Sequence, residues 1–461
     1  MTPEPHTGAD RSPGEPIGAM LTRLRLARGL SQLRLAELLC AAAGTPTVSR
    51  HEVSRWEREE RVPGPFWRGW LALVLDTPLE ALESATAARR HAADPATGDP
   101  RRLWHPPTAA DLLDTLDRAG GDEVRLLAHA WLAGPPGHRP PAPAPRRPAI
   151  PAAGDPPGPA RLRTLRQMDD VVGGVDLAGT IDRELRAVIT ASPPARADRD
   201  ALRLVAGWAQ LAGWVHADAG QPRRAQRAWS VGLRAAAAAG DRPLAGHLLG
   251  SVSHHHLAVG RPQEALLLAR TAYSGARSPA SARCRALLLH RVALAAAGVD
   301  ERRAAHAALA RADRAANRAT APDREPDWLY WVDEAELTAM TGRCLVAVGR
   351  PMRAAPLLLS ISSCRTPRTR AVYAGWLARA YLDLGEVEQA CEVAADAWVA
   401  AVRAGSARAA DGLRQLHPLL VRYRDVPAVR GYQRLATAAA DYLPGGASPT
   451  HHRARAAAGR R

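Results

Sequence analysis

A turn-plus-helix unit, G-x-x-x-x-A, recurs through the second half of this chain. It reads GQPRRA from Gly220, GRPQEA from Gly260, GRPMRA from Gly349 and GEVEQA from Gly385, with a looser copy from Gly298 to Ala304. Glycine can end a helix in the left-handed conformation without a steric penalty, and alanine lets the next helix pack closely. The copies stand 36 to 51 residues apart. That spacing predicts stacked helix pairs, each burying its apolar face only against its neighbours.

Composition removes several chemistries. No lysine occurs, so all 62 basic residues are arginine. A phosphate-cradling GxxxxGK[ST] loop and Schiff-base catalysis both need lysine. No G-x-S-x-G and no dinucleotide fingerprint occurs either, so an enzyme is not expected. The longest apolar block, Trp70 to Leu75, is too short to span a bilayer, and the first ten residues lack a leader's basic and apolar regions. A cytoplasmic chain with no membrane partner is expected. Five scattered cysteines without a CxxC pair suggest reduced thiols, with neither metal nor cofactor.

The net charge of +16 suggests nucleic acid, but it is unevenly placed. Residues 1–160 hold 19 arginines and 19 acids, and residues 161–461 hold 43 against 27. Any DNA surface near the N-terminus must therefore rest on local geometry.

Residues 1–15 read as a disordered arm rich in Pro, Gly and charge. Ile17, Met20, Leu21 and Leu24 then recur at helical spacing up to Gly29. Ser31 caps a second helix carrying Leu35, Leu38 and Leu39, running to about Ala43. Ser49 and Glu52 form an S-x-x-E capping box that opens a third helix, with Val53 and Trp56 inward. Two short helices follow in FWRGWLALVL and PLEALESA, completing a five-helix domain over 16–86. A small helical segment over 87–133 contains a helix pair joined at Gly120 and Gly121. The Pro-rich run 134–160 reads as a stiff spacer between domains, 161–445 as the repeat domain and 446–461 as a disordered basic tail.

The segments LRLARGLSQLRLAELL and VSRHEVSRWER, within Ile17 to Ala85, strongly resemble the phage-repressor-like helix-turn-helix family, whose bacterial branch is the Xre-type regulators. The resemblance implies a third helix lying in the major groove of double-stranded DNA. Carried over by position, Arg50, His51 and Arg55 occupy the base-reading places, with Ser54 and Arg58 on the same DNA-facing helix. Gln32 matches a phosphate contact, and Glu57 matches a carboxylate paired internally with Arg25. Arginine suits the reading role because it bonds guanine O6 and N7 bidentately. Seven extra residues, in CAAAGTPT, stand where the family has a single glycine before Val48. From about residue 200 to 405 the glycine-alanine pattern resembles divergent tetratricopeptide repeats.

Other motifs compete for attention. HEVSR from His51 lacks the second histidine of the HExxH zinc motif. His254, His255 and His256 point about 100° apart on a helix and cannot grip one ion from a single face. DWLYWVDE, Asp327 to Glu334, suits either a core or the wall of a ligand groove. The expected protein is all-α: a sequence-specific DNA-binding transcriptional regulator whose repeat domain takes a peptide or protein ligand, forms a homodimer, or does both. The competing class is a repeat scaffold without specific DNA binding, kept open by nine arginines against eight acids in residues 17–85.

Overall fold

Apolar residues at helical spacing from Ile17 to Leu75 give short helices that bury one face each. The computed structural model describes residues 16–43, 48–79, 81–83, 85–86, 107–118, 123–133, 157–191, 198–318, 325–360 and 366–444. Every regular element among them is helical. The chain divides into two compact units, Met1–Asp99 and Pro100–Arg461.

In the first unit, α1 (Ile17–Ala27), α2 (Gln32–Ala43), α3 (Arg50–Glu57) and α4 (Pro65–Val74) surround one core. Ile17, Leu21, Leu35, Leu39, Val53, Trp56 and Leu71 fill it, all almost fully buried. Burying each such side chain contributes roughly 1.5–3 kcal/mol. Gly29 ends α1 at φ +64°, as its position predicts. Gly18 lets α1 approach the end of α3, because a Cβ there would sit 2.4 Å from the Glu57 carbonyl oxygen. Cys40 to Ala43, half of the extra segment, continue α2. Residues 44–47 lie outside the described residues, and the Cys40 thiol reaches the Val48 carbonyl at 3.2 Å. Of the predicted fifth helix, Leu79, Ala81 to Glu83 and Ala85 are helical, whereas Pro78 precedes the helix.

The second unit opens with α5 (Ala109–Arg118), α6 (Glu123–Ala133), α7 (Pro159–Asp169) and α8 (Gly174–Thr190). Five helix pairs follow: α9 (Arg199–Asp218) with α10 (Pro222–Ala238), α11 (Arg242–Ala258) with α12 (Pro262–Ala276), α13 (Ala282–Gly298) with α14 (Arg302–Ala316), α15 (Glu334–Ala347) with α16 (Pro351–Leu359), and α17 (Pro367–Leu384) with α18 (Val387–Arg403). The unit closes with α19 (Ala407–Arg414), α20 (His417–Leu420) and α21 (Pro427–Ala440).

The turn unit does what its residues predict at four of the five positions. Gly220, Gly260, Gly349 and Gly385 all adopt positive φ, and Ala225, Ala265, Ala354 and Ala390 are buried. At the looser copy, Gly298 is instead the last helical residue, and Asp300 takes the left-handed turn at φ 60°. The buried alanine there is Ala305, so the copy runs as D-x-x-x-x-A from Asp300, two residues after Gly298. Two further copies, GDRPLA from Gly240 and GSARAA from Gly405, also turn at positive φ. The working period is thus one helix of about 20 residues over Gly220, Gly240 and Gly260.

The domain boundary also differs from the sequence expectation. The spacer expected over 134–160 does not separate the two units, because the helices before it pack into the second. Leu112, Val124, Leu127 and Trp131 share a core with α8 to α12. Trp131 covers Gly275, where a Cβ would lie 2.2 Å from its ring, and Arg242 sits 5.3 Å over the ring centroid. Most of the Pro-rich run, the arm 1–15 and the tail 446–461 lie outside the described residues.

Candidate functional site

The short helix α3 is held at both ends. Ser49 caps it, accepting from the Glu52 amide at 3.4 Å. Glu52 does not serve as the returning half of a capping box. Its carboxylate accepts from Arg55 at 3.1 Å and from Arg61 at 3.2 Å. At the other end, Glu57 accepts from Arg25 Nε at 2.5 Å and Nη2 at 3.1 Å, and Arg25 Nη1 reaches the Leu30 carbonyl at 2.8 Å. The pair is buried, with side-chain exposures of 10% and 5%, so its geometry fixes α3 against α1. Gly18 N adds a bond to Glu59 at 2.9 Å.

With Val53 and Trp56 turned inward, Arg50, His51, Arg55 and Arg58 are exposed and Ser54 is half-buried. Arg58 pairs with Glu60 at 3.3 Å. Gln32, which the resemblance matches to a phosphate contact, stands half-exposed at the start of α2. Its Nε2 donates to Glu57 at 2.7 Å, joining the Arg25–Glu57 pair. Of the ten predicted site residues, the structure groups Arg25, Gln32 and Glu57 in one hydrogen-bonded cluster, with Gln32 half-buried at its edge, and Arg50, His51, Arg55 and Arg58 on one exposed face.

A second arrangement lies inside the repeat unit, where a cavity of about 240 Å³ is bounded by α7, α9, α13, α15 and the segment around Trp328. The beginning and end of the unit meet beside it. Arg368 of α17 bonds Asp169 of α7 in bidentate fashion at 2.9 and 3.0 Å, while Asp218 at the end of α9 accepts from Ser406 at 2.6 Å and Arg408 at 3.3 Å. Asp169 and its neighbours help hold Arg368 charged, with its pKa raised above the ordinary guanidinium value despite burial.

Trp328 and Trp331 line this cavity, and Trp328 also stacks on His247 with ring centroids 4.7 Å apart. The DWLYWVDE segment therefore serves both core and wall. Tyr330 donates to Asp170 at 2.9 Å and Asp327 accepts from Arg163 at 2.8 Å, tying the segment to α7. The three consecutive histidines face three surroundings: His254 lines the cavity, His255 lies 5.5 Å from Trp229, and His256 is 3.4 Å from Glu264. Among the described residues no group of three His, Cys, Asp or Glu side chains is arranged to hold a metal ion. Cys40, Cys284, Cys344 and Cys391 are free thiols, and Cys364 lies outside the described residues.

The cavity was not evident from local sequence, because Arg166, Arg291 and Arg343 come from three helices and stand 125 and 52 residues apart along the chain. No short motif joins them. Comparison with protein-family models, curated proteins and solved structures finds no match for the chain.

Proposed function

We propose that the protein is a sequence-specific DNA-binding transcriptional regulator, in which α2 and α3 act as a helix-turn-helix and the helical-repeat unit senses a ligand or mediates assembly. The observation that supports this reading most is the division of α3. One face is locked into the core by Val53, Trp56 and the Arg25–Glu57–Gln32 cluster, and the other presents Arg50, His51 and Arg55 to solvent. A rigidly held helix with donors at its N-terminal end suits base edges in the major groove.

Selection from a random duplex library with the full chain tests it. Enrichment of one motif is the expected result, and an unenriched pool contradicts it. A second reading has one observation behind it: Arg55 and Arg58 are already paired with Glu52 and Glu60, as on a protein-binding scaffold surface. That reading predicts the unenriched pool.

A further inference from the structure

Charge around the repeat-unit cavity is sorted into satisfied and unsatisfied groups. Arg368 and Arg408 are paired with Asp169 and Asp218. Arg291 and Arg343, 4% and 3% exposed, have no carboxylate within ion-pair distance among the described residues. Arg291 Nη1 and Arg343 Nε and Nη2 are buried and donate to no protein acceptor. A buried guanidinium without a partner is strongly unfavourable, and an apolar side chain of similar size would ordinarily be more stable there. Both side chains line one cavity, with Arg291 5.8 Å from the Trp214 ring centroid and Arg343 5.9 Å from that of Tyr373, so a carboxylate entering there would supply the ion-pair partner that neither has.

We propose that this cavity binds a small organic monoanion, a carboxylate on an apolar or aromatic body. The carboxylate is taken by Arg291 and Arg343, and the body lies against Trp214, Trp328, Trp331 and Met340. Three observations set this class. The cavity, at about 240 Å³, is smaller than the ~300 Å³ at which larger ligand pockets begin, which suits a small molecule better than an extended peptide. Aromatic and aliphatic walls favour an apolar body. Asp333 and Glu336 also line the cavity, so a dianion such as phosphate would meet more repulsion there than a monoanion. Burial, with Arg343 close by, pulls the Arg291 pKa down to about 9, consistent with a cation awaiting its counter-ion.

This inference deepens the sensing half of the proposed function and rests on it. Thermal unfolding and tryptophan fluorescence of the full chain, without DNA, test it with 3-phenylpropionate and indole-3-acetate beside their neutral amides and inorganic phosphate. The two carboxylates should raise the unfolding temperature saturably, as a ligand of the folded state must, while the amides and phosphate should not. Arg291→Met and Arg343→Met should each weaken apparent carboxylate affinity roughly thirtyfold or more. Without additive both variants should melt no lower than the wild type, whereas purely structural arginines would give lower melting. If neither carboxylate outperforms its amide on the wild type, or if folded variants keep the shift, the proposal is overturned. Failure of duplex selection alone would leave this result standing, so the two readings fail separately.

Discussion

The arginines of α3 and those of the repeat-unit cavity are the same side chain in opposite circumstances. Arg55 and Arg58 are exposed, each within reach of a neighbouring carboxylate. Arg291 and Arg343 are buried against the rings of Trp214 and Tyr373, and Arg291 Nη1 and Arg343 Nε and Nη2 have no hydrogen-bond acceptor. An exposed pair contributes only ~0–1 kcal/mol, so Arg55 can leave Glu52 for a base edge at little cost. A buried unpaired guanidinium has no such freedom, and only a group entering the cavity relieves it. The comparison teaches that arginine number says little in a chain with 62 of them. The setting of each one decides what it can bind.

The largest effect expected from breaking this comparison lies at Arg25, an arginine of the first unit that is both buried and paired with a carboxylate. Glu57→Ala leaves Arg25 without its carboxylate and should cost roughly 3–5 kcal/mol. Denaturant unfolding of a 1–99 fragment measures this directly. A variant as stable as the wild type would show that α3 is held by its apolar face alone.

Acid should act next most strongly, on the repeat unit. Burial, helped by Arg291 and Arg166, pushes the His247 pKa down to about 3, and burial, with Arg343 and Arg291 nearby, pushes His290 down to about 4. Both stay neutral in the fold while the unfolded chain takes up protons below its ordinary value near 6.5. Their contribution is therefore complete above about pH 6.5 and is lost as pH falls towards the folded values, by about 2 kcal/mol per histidine at pH 5. Unfolding of the full chain followed at pH 7 and pH 5 checks the direction, and replacing His290 by Gln should flatten the dependence. A dependence unchanged in that variant would place the acid sensitivity elsewhere.

A smaller loss tests where the second unit begins. Gly275→Ala forces a methyl into the Trp131 ring and should destabilise the unit by roughly 1–3 kcal/mol, unless α6 lifts away. Either outcome shows in melting and in the fluorescence of Trp131. An unchanged profile would mean that α6 does not pack there in solution.

Much of the helical pattern was legible because it is local. Ser49 as the cap of α3, Gly29 at the end of α1 and the buried alanines after each turn glycine follow from residue chemistry within one or two turns of chain. The Asp300 turn was hidden because aspartate replaced the glycine that carries the signal. Gly240 and Gly405 fell between the copies that a two-helix period leads one to expect. The spacer was misplaced because proline content marks an extended chain but not which helices its flanks pack on. Of the α3 cluster, the Arg25–Glu57 pairing came through the family resemblance and is present, and Gln32 bonds the same carboxylate. The cavity arginines could not be foreseen, since only the packing of α13 on α15 brings Arg291 and Arg343 to one space.

The central claim is that the exposed face of α3 reads DNA sequence. With a selected duplex and its scrambled counterpart in hand, the Arg50→Ala, Arg55→Ala double variant should lose discrimination by about 1–3 kcal/mol per arginine. Its affinity for the scrambled duplex should change less, because neutral surroundings imply few displaced counter-ions and a shallow salt dependence. The decisive measurement is the ratio of the two affinities at two salt concentrations, for wild type and variant. A ratio that collapses towards one in the folded variant is the predicted result. A ratio that stays at its wild-type value would contradict the assignment of α3 as the reading surface.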